Sequence, residues 1–369
     1  DSDRIPNWTN VVIMTDIKSH LDNSIHERKL PDHVGTRILA TVTVIMVVLL
    51  ATMEVKARQD NYRTSYPLID DLWISQWLEL DSLPTDQMIV IGASRMQFGI
   101  IVPEWNKLTG IKPQMLAWPG SPPGPVLSKL AQRKSFKGTV LCGIAPPFSF
   151  APDTMPFTQR IQRNFSKINT SRVSLSFHLS MAARDFLSPT FKFLNSFAYS
   201  PVLLSYTYFP IPNRDRLLIP DIFPFAGSLD RELQFRFTRN IEKVLKVNIV
   251  NQIQDSARRK LHHYGPADMD PVVAQFKKDV KTIESRGGQV VFIRPPSDGK
   301  YRQFERDYYP RKRFFDRVVQ ETSCLGIHFE DYPELRDFTC VEDSHLSVKD
   351  GLEFTKRIVD ILRREEAID

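Results

Sequence analysis

An uncharged apolar run near the N-terminus constrains the fold of this chain most strongly. Residues Ile38 to Met53 read ILATVTVIMVVLLATM, which is sixteen positions without a charged side chain. With Val34-Gly35-Thr36 added, and with Arg37 reaching toward the membrane surface, the segment is about twenty residues long, enough to span a bilayer core as a helix. The run is apolar on every helical face, whereas a helix at the edge of a soluble domain has a polar face. The sequence therefore predicts a transmembrane helix over residues 34–53.

The flanks of this segment leave its orientation nearly balanced. Basic residues stand on both sides of the run: Arg28, Lys29 and Arg37 before it, and Lys56, Arg58 and Arg63 after it. A cleavable signal peptide does not fit, because the run begins far from residue 1 and lacks a small-x-small exit. A single span ahead of a large folded region is typical of a signal anchor. This predicts a cytoplasmic tail over residues 1–33 and a main domain outside the cytoplasm.

The overall composition excludes some classes of function. Hydrophobic residues make up 42% and charged residues 25% of the 369 residues, which is typical of a globular protein. The net charge is +6, and its basic residues are scattered apart from a patch at 308–313, so nothing favours nucleic-acid binding. Cys142, Cys324 and Cys340 lack the spacing of metal ligands, and we expect no metal and no cofactor. Cys142 reads as a core residue, and a disulfide between Cys324 and Cys340 is the less favoured interpretation.

Beyond a connector at residues 54–86, which has amphipathic helical character at 68–80, short apolar runs alternate with helical patterns. Strands are predicted at 88–92, 112–118, 138–144, 289–294 and 326–329, and helices at about 125–133, 272–286, 304–322 and 348–364. This alternation predicts an α/β domain over residues 87–369 whose parallel sheet is covered by helices on both faces. Between about 145 and 270 a Phe- and Pro-rich sequence replaces the alternation, and we interpret it as a mainly helical insertion.

Two residues with catalytic chemistry lie far apart in the sequence. Ser94 follows the first predicted strand, and His345 follows Glu342 and Asp343 just before the last predicted helix. A hydroxyl, an imidazole and a carboxylate that holds the imidazole in one tautomer are the parts of a nucleophile and its general base. A serine at this position is also a common helix N-cap, so the partnership with His345 is what favours catalysis.

Two arginines are candidates for substrate binding. Arg95 follows Ser94, and Arg294 ends the fourth predicted strand before Pro295-Pro296. At the carboxyl edge of a parallel sheet, where ligands bind, Arg294 either contacts an anionic substrate or pairs with Glu330 or Asp331.

Three short blocks carry a family resemblance. They are Gly92–Arg95, Pro119–Ser121 and Glu342–Ser347, and they resemble blocks of the SGNH (GDSL-like) hydrolase and acyltransferase superfamily. With the N-terminal anchor, the chain is similar to membrane-tethered members that modify bacterial cell envelopes, such as the accessory proteins of teichoic-acid D-alanylation and of alginate or peptidoglycan O-acetylation. The resemblance covers roughly residues 86–145 and 270–365. It implies a flavodoxin-like fold of three layers.

The resemblance also implies a role for each matching residue. Ser94 would be the nucleophile, His345 the general base, and Glu342 the acid that orients the base, with Asp343 as the alternative acid. The backbone N–H groups of Gly120 and Ser94 would bind the oxyanion. The resemblance further implies a membrane-bound O-acyltransferase partner with several spans, and a bacterial inner-membrane location with the main domain on the periplasmic or extracellular side.

The chain departs from the family pattern at two places. The third strand ends in Cys142–Pro147 instead of Gly-x-Asn-Asp, so no asparagine completes the oxyanion site, and Arg95 stands where lipases of the family have a hydrophobic residue. Three functions follow. The first is a membrane-anchored serine acyltransferase or esterase acting on envelope glycan or polymer. The second is a catalytically silent scaffold that binds glycan or the O-acyltransferase. The third, a soluble flavodoxin-like binding protein, requires Ile38–Met53 to be a core helix.

Overall fold

The structure, a computed structural model, describes most of the chain. The described residues are 33–59, 69–194, 225–227, 233–235, 259, 262, 266–341 and 343–369. The chain divides into two units, residues 1–53 and residues 54–369.

A long helix, α1, runs from Val34 to Gln59. Its residues up to Met53 belong to the first unit, and its last six residues belong to the second. Among the described residues, α1 is the one helix long and apolar enough to cross a membrane. Its large apolar side chains are exposed, from 37% at Leu50 to 67% at Leu39, so they do not form a protein core. Thr43 donates its hydroxyl hydrogen to the Leu39 carbonyl oxygen at 2.8 Å, which satisfies the hydroxyl within the helix.

The second unit is built around a parallel sheet. The described strands are β1 Ile89–Ile91, β2 Gln114–Met115, β3 Thr139–Gly143, β4 Phe225–Gly227, β5 Leu233–Phe235, β6 Gln289–Arg294 and β7 Leu325–His328. Five of them form one sheet in the order β2-β1-β3-β6-β7, and each neighbouring pair is parallel. The prediction of an α/β domain with a parallel sheet is confirmed.

Helices connect and cover these strands. Those of the second unit are α2 Asp70–Glu79, α3 Ser94–Gly99, α4 Val102–Thr109, α5 Pro123–Gln132, α6 Pro146–Ser149, α7 Pro156–Val173, α8 Leu175–Thr190, α9 Met269–Glu284, α10 Gly299–Tyr308, α11 Phe315–Thr322, α12 Pro333–Arg336 and α13 Val348–Arg364. The bounds of β6 and α13 agree with the sequence prediction. The helix predicted at 304–322 is two helices, because Pro310 lacks an N–H and begins a short 3-10 turn at Arg311–Arg313.

The sheet has a hydrophobic core on each face. Ile89 and Ile91 belong to one core with α2, α5, α9 and α11, whereas Val90 belongs to the other with α4 and α13. Alternate side chains of a strand point to opposite faces, so a strand that is apolar at every position is buried on both. This explains why the short run Ile89–Ile91 is fully buried.

The order of the sheet identifies one edge as the place for a ligand. Counted within this sheet alone, the strand order is 2-1-3-4-5, so the direction of winding reverses at β1. In open parallel sheets the crevice outside the carboxyl end of the strand at such a reversal binds ligands. Ser94 begins α3 directly after β1 and therefore lies at this position.

Two regions differ from the sequence interpretation. Helix α2 falls in the segment interpreted as a connector, yet Trp73 on it is buried, and its indole N–H donates to the Leu116 carbonyl oxygen at 2.9 Å.

In the predicted insertion, the described residues form α6, α7 and α8, as expected, and an antiparallel pair, β4 with β5, that was not predicted. Most of residues 195–265 lies outside the described part of the chain.

Candidate active site

The turn after β1 requires glycine and places Ser94. Gly92 has a φ of +132°, and a Cβ there would stand 2.7 Å from the Gly143 carbonyl oxygen. A Cβ on Gly143 would in turn stand 2.0 Å from Met96 Cγ on α3. The ends of β1 and β3 therefore approach each other in a way that side chains would prevent. The consequence is a sharp strand-to-helix turn with Ser94 as the first residue of α3.

His345 meets Ser94 from the loop before α13. Its Nε2 atom lies 2.7 Å from Ser94 Oγ, although 251 positions separate the two residues in the sequence. The imidazole also packs against the Phe98 ring, with 4.5 Å between ring centroids. Both residues of the pair are nearly buried, Ser94 at 8% and His345 at 5% exposure. The distance is within hydrogen-bond reach, as proton transfer between a nucleophile and its base requires.

The two candidate acids have different outcomes. Glu342 lies outside the described residues. Asp343 has a φ of +66°, and its Oδ2 accepts a hydrogen bond from the backbone N–H of Lys300 at 3.0 Å. Its carbonyl oxygen accepts a second bond, from the Asp298 N–H at 2.9 Å. These bonds attach the loop that carries His345 to the start of α10. The role of Glu342 as the acid that orients His345 stays a prediction.

Gly120 lies at the same edge of the sheet as Ser94. The Trp118 N–H donates to the Gly92 carbonyl oxygen at 2.9 Å, which extends the β1–β2 pairing beyond both strands. Gly120 and Ser94 each follow this bond by two residues. Gly120 has a φ of +71°, a conformation that favours glycine. Its position therefore fits the predicted oxyanion donor, while the direction of its N–H toward a substrate remains a prediction.

Sequence reasoning missed a buried ion cluster behind the pair. Glu305 on α10 is fully buried, and its two carboxylate oxygens accept hydrogen bonds from Arg95 at 2.8 Å and from Arg294 at 2.5 Å. Ser297 donates to the same carboxylate at 2.6 Å. Arg294 therefore pairs with Glu305, a partner that the sequence did not indicate. Both arginines are buried and bonded to this carboxylate, and their contact with a substrate stays a prediction.

Arg95 connects the two halves of the Ser94–His345 pair. It follows Ser94 in the sequence. Its Nε donates at 3.2 Å to the hydroxyl of Ser344, the residue before His345. Its guanidinium also lies 4.8 Å from the centre of the Tyr301 ring. A rigid side chain fixed at both ends thus joins the turn after β1 to the loop before α13.

The charges of this cluster are unequal. Burial raises the pKa of the Glu305 carboxyl, but the guanidinium groups of Arg294 and Arg95 and the Ser297 hydrogen bond outweigh it, so the pKa is lowered. Burial lowers the pKa of Arg294 to about 9, against the attraction of Glu305, and the group still carries its charge at neutral pH. Arg95 and Arg294 both pair with the Glu305 carboxylate, and Arg302 lies 4.0 Å from it, so positive charge exceeds negative charge around Glu305. Such a charge favours anions that develop nearby.

His328 is a structural residue. It lies on β7 and is 1% exposed, and its Nδ1 accepts the Glu330 N–H at 3.1 Å. Burial and then the positive charges of Arg294, Arg311 and Arg302 hold the pKa of His328 well below its usual range, so it stays neutral.

Neither a disulfide nor a metal centre is found among the described residues. Cys142, Cys324 and Cys340 are free thiols, so the less favoured interpretation of a Cys324–Cys340 disulfide is wrong. Within the described ranges, no three His, Cys, Asp or Glu side chains are grouped so that they could hold a metal ion.

The signal that could have revealed the cluster was present in the sequence. Arg95, just after one apolar run, and Arg294, at the end of another, require a counter-charge if they are buried, because a buried guanidinium without a partner is costly. Glu305 was hidden by its surroundings, since its helix reads GKYRQFERDY and resembles an exposed charged helix.

Comparisons with known proteins add no family. No protein-family model matches the chain, and no curated protein matches it significantly.

Proposed function

We propose that this protein is a membrane-anchored serine acyltransferase or esterase of the SGNH-like kind. The observation that carries the proposal is the 2.7 Å separation of Ser94 Oγ and His345 Nε2 at the strand where the sheet reverses its winding. Helix α1 supports the anchor by its length and apolar composition.

The chemistry divides into two transfers at one serine. His345 Nε2 takes the Ser94 hydroxyl proton while Oγ attacks the carbonyl carbon of an acyl donor, giving a tetrahedral oxyanion. The oxyanion collapses, the bond to the leaving group breaks, and His345 returns the proton to that group. An acceptor hydroxyl then gives its proton to His345 and attacks the acyl carbon, the bond from that carbon to Ser94 Oγ breaks, and His345 returns the proton to Oγ. Water in the same position gives hydrolysis.

Backbone donors and the buried charge stabilise the oxyanion in this proposal. The N–H groups of Ser94 and Gly120 are the donors, and removal of one such donor typically costs about 3–4 kcal/mol of transition-state stabilisation. The excess positive charge held by Arg95 and Arg294 acts in the same direction. Glu342 completes the triad by holding the His345 tautomer.

Substrate and location follow from the resemblance. The acceptor is a cell-envelope glycan or polymer hydroxyl, and the acyl group comes from a membrane-bound O-acyltransferase with several spans. The anchor lies in a bacterial inner membrane with the domain on the periplasmic or extracellular side. No cofactor or metal takes part in these steps.

A silent scaffold is the second candidate function. It is favoured by the end of β3, where Ala145 occupies the region of the family's asparagine and its N–H donates to Ser149 Oγ at 3.0 Å. In that case Ser94 and His345 form a structural hydrogen bond, and the domain binds glycan or the O-acyltransferase without turnover.

Covalent labelling separates the two functions. The purified full-length chain is treated with a fluorophosphonate probe, and hydrolysis of p-nitrophenyl acetate is measured alongside. We expect labelling and turnover in the wild type and in Ser128→Ala, whose serine bonds to Asp279 far from the site. We expect neither in Ser94→Ala and strongly reduced labelling in His345→Ala. Wild type and Ser94→Ala behaving alike in both assays would leave only the scaffold.

A further inference from the structure

One helix of the second unit is apolar on the face that it turns to solvent. Outside α1, nine large hydrophobic side chains of the described residues are exposed, and six of them lie between residues 173 and 194. The six are Val173, Leu175, Leu179, Phe186, Leu187 and Leu194, with exposures of 82%, 72%, 61%, 67%, 39% and 42%. Such a concentration in one short stretch marks an interaction surface, whereas scattered exposed apolar residues do not.

The pattern along α8 shows that this exposure is systematic. At 100° per residue, Leu175, Leu179 and Phe186 fall on one stripe of the helix. Met181 and Ser188 are the buried residues of α8, and they lie on the opposite stripe. A helix at a protein surface normally carries polar residues on its outer face. Helix α8 instead carries apolar residues on the face that it turns to solvent.

The same stretch is attached to the end of α1. Glu54 accepts a hydrogen bond from the Phe193 N–H at 3.0 Å, and Arg58 donates to the Thr190 carbonyl oxygen at 3.2 Å. Both Glu54 and Arg58 belong to the second unit, and Glu54 directly follows the apolar run that ends at Met53. These two bonds hold the apolar stretch to the last turns of α1, which belong to the second unit.

The charges around this surface match an anionic membrane. Residues 156–194 contain six Lys or Arg and a single acidic residue, Asp185, and two of the six, Arg160 and Arg172, pair with Asp70 and Asp81 outside this stretch. Arg163 and Lys167 on α7 are exposed. Apolar side chains flanked by basic residues are typical of segments that lie in the headgroup region of a bilayer with anionic lipids.

We propose that α8 docks on the bilayer surface, with Leu175, Leu179 and Phe186 inserted at the boundary between headgroups and acyl chains. The proposal rests on the anchoring function of α1 given above and extends it from a single tether to two points of attachment. Docking restricts how the domain turns about its anchor, and so presents the carboxyl edge of the sheet in a fixed relation to the membrane.

Lipid-carried quenchers test this docking in the full-length chain. Single cysteines carrying an NBD fluorophore are placed at Leu179 and Phe186 in a Cys340→Ser background, since the other native cysteines are buried. The protein is inserted into nanodiscs of phosphatidylcholine and phosphatidylglycerol, with and without nitroxide-labelled lipid. Val47 on α1 serves as the position inside the bilayer. Asp360, exposed on α13 at the opposite face of the sheet, serves as the position in water.

Three outcomes are distinguishable. Loss of fluorescence at Leu179 and Phe186, as at Val47 but not at Asp360, supports docking. Loss of fluorescence at Val47 alone overturns docking and leaves the anchor intact. The same result is expected if a second copy or another segment of this chain covers α8. No loss at Val47 overturns the anchor and the docking together. Because the probed side chains are exposed, their substitution leaves the packing of the domain unchanged.

Discussion

Replacement of Glu305 by glutamine is the sharpest test of how the site is held together. The change keeps the size of the side chain and removes one negative charge from a fully buried position. Arg95 and Arg294 then face each other without the carboxylate that both contact at 2.5–2.8 Å. Glutamine can accept from one of them with its single oxygen, but its NH₂ group points a donor at the other.

The expected cost follows from the burial of all three side chains, which are 0–4% exposed. Removal of one partner from a buried ion pair costs about 3–5 kcal/mol, because the remaining charge has lost both water and counter-ion. For a domain of this size, with an unfolding entropy of about 2.1 cal/mol/K per residue, that loss lowers the melting temperature by roughly 5–8 °C. The Ser94–His345 pair depends on the same cluster through Arg95, so fluorophosphonate labelling should slow as well.

Thermal and urea unfolding of the full-length protein in detergent measure the effect, with Glu321→Gln as the matched control. Glu321 makes ion pairs with Lys277 at 3.7 Å and Arg317 at 3.5 Å, but its side chain is 39% exposed. Its loss should cost at most about 1 kcal/mol, because water screens surface pairs. A stability for Glu305→Gln within that range would refute the reasoning.

A double-mutant cycle identifies the cause. In Glu305→Gln with Arg294→Met, one of the two uncompensated charges is gone. The double variant should therefore be more stable than the sum of the single effects predicts, by about 0.5–3 kcal/mol. Additive losses would mean that the glutamate acts through packing and not through charge.

Further predictions concern pH, a turn and a buried hydroxyl. The pKa of Glu305 is lower in the folded protein than its unfolded value of 4.5, so below pH 4.5 the unfolded chain binds a proton that the folded chain does not, and stability decreases as the pH is lowered. The stability difference between wild type and Glu305→Gln should therefore shrink below pH 4.5 and stay constant near neutrality. Gly92→Ala should destabilise by about 2 kcal/mol or more, since its Cβ meets the Gly143 carbonyl oxygen, whereas Gly110→Ala, at a φ of +72° in open space, should cost about 1 kcal/mol. Thr355→Val should cost about 1–3 kcal/mol, because the Ile101 N–H loses its acceptor at 2.9 Å inside the core, and denaturant unfolding measures all three.

The sequence predicted elements whose pattern is local. Strand β6 and helix α13 were predicted with the bounds found, because an apolar run closed by Pro295 and an amphipathic repeat after Ser347 are complete signals in themselves. Other strands are shorter in the structure than in the prediction, as with the predicted 112–118 and the observed Gln114–Met115. Hydrogen bonding to a neighbour decides where a strand ends, and this pairing is not written in the strand's own residues.

For the site, sequence reasoning named Ser94 and His345 and left their distance open. In the sheet, β7 lies three strands away from β1, so the approach to 2.7 Å requires the chain after β7 to return toward β1, where α13 shares a core with α3 and α4. Glu305 was missed because its helix is charged and reads as exposed, and only its packing against Arg95 of α3 and Arg294 of β6 makes it buried. The core role of α2 was missed for the same reason, since Trp73 has its partner at Leu116 in a distant part of the chain.

The sequence by itself determined which segments are apolar enough to be buried, where glycine and proline interrupt them, and which residues have catalytic chemistry. These properties depend on neighbours within one or two helical turns. The tertiary structure decided which charge lies opposite which, how close Ser94 comes to His345, and that α8 keeps an apolar outer face. Such relations join residues that are up to 251 positions apart, and they exist only after the sheet and its covering helices have formed.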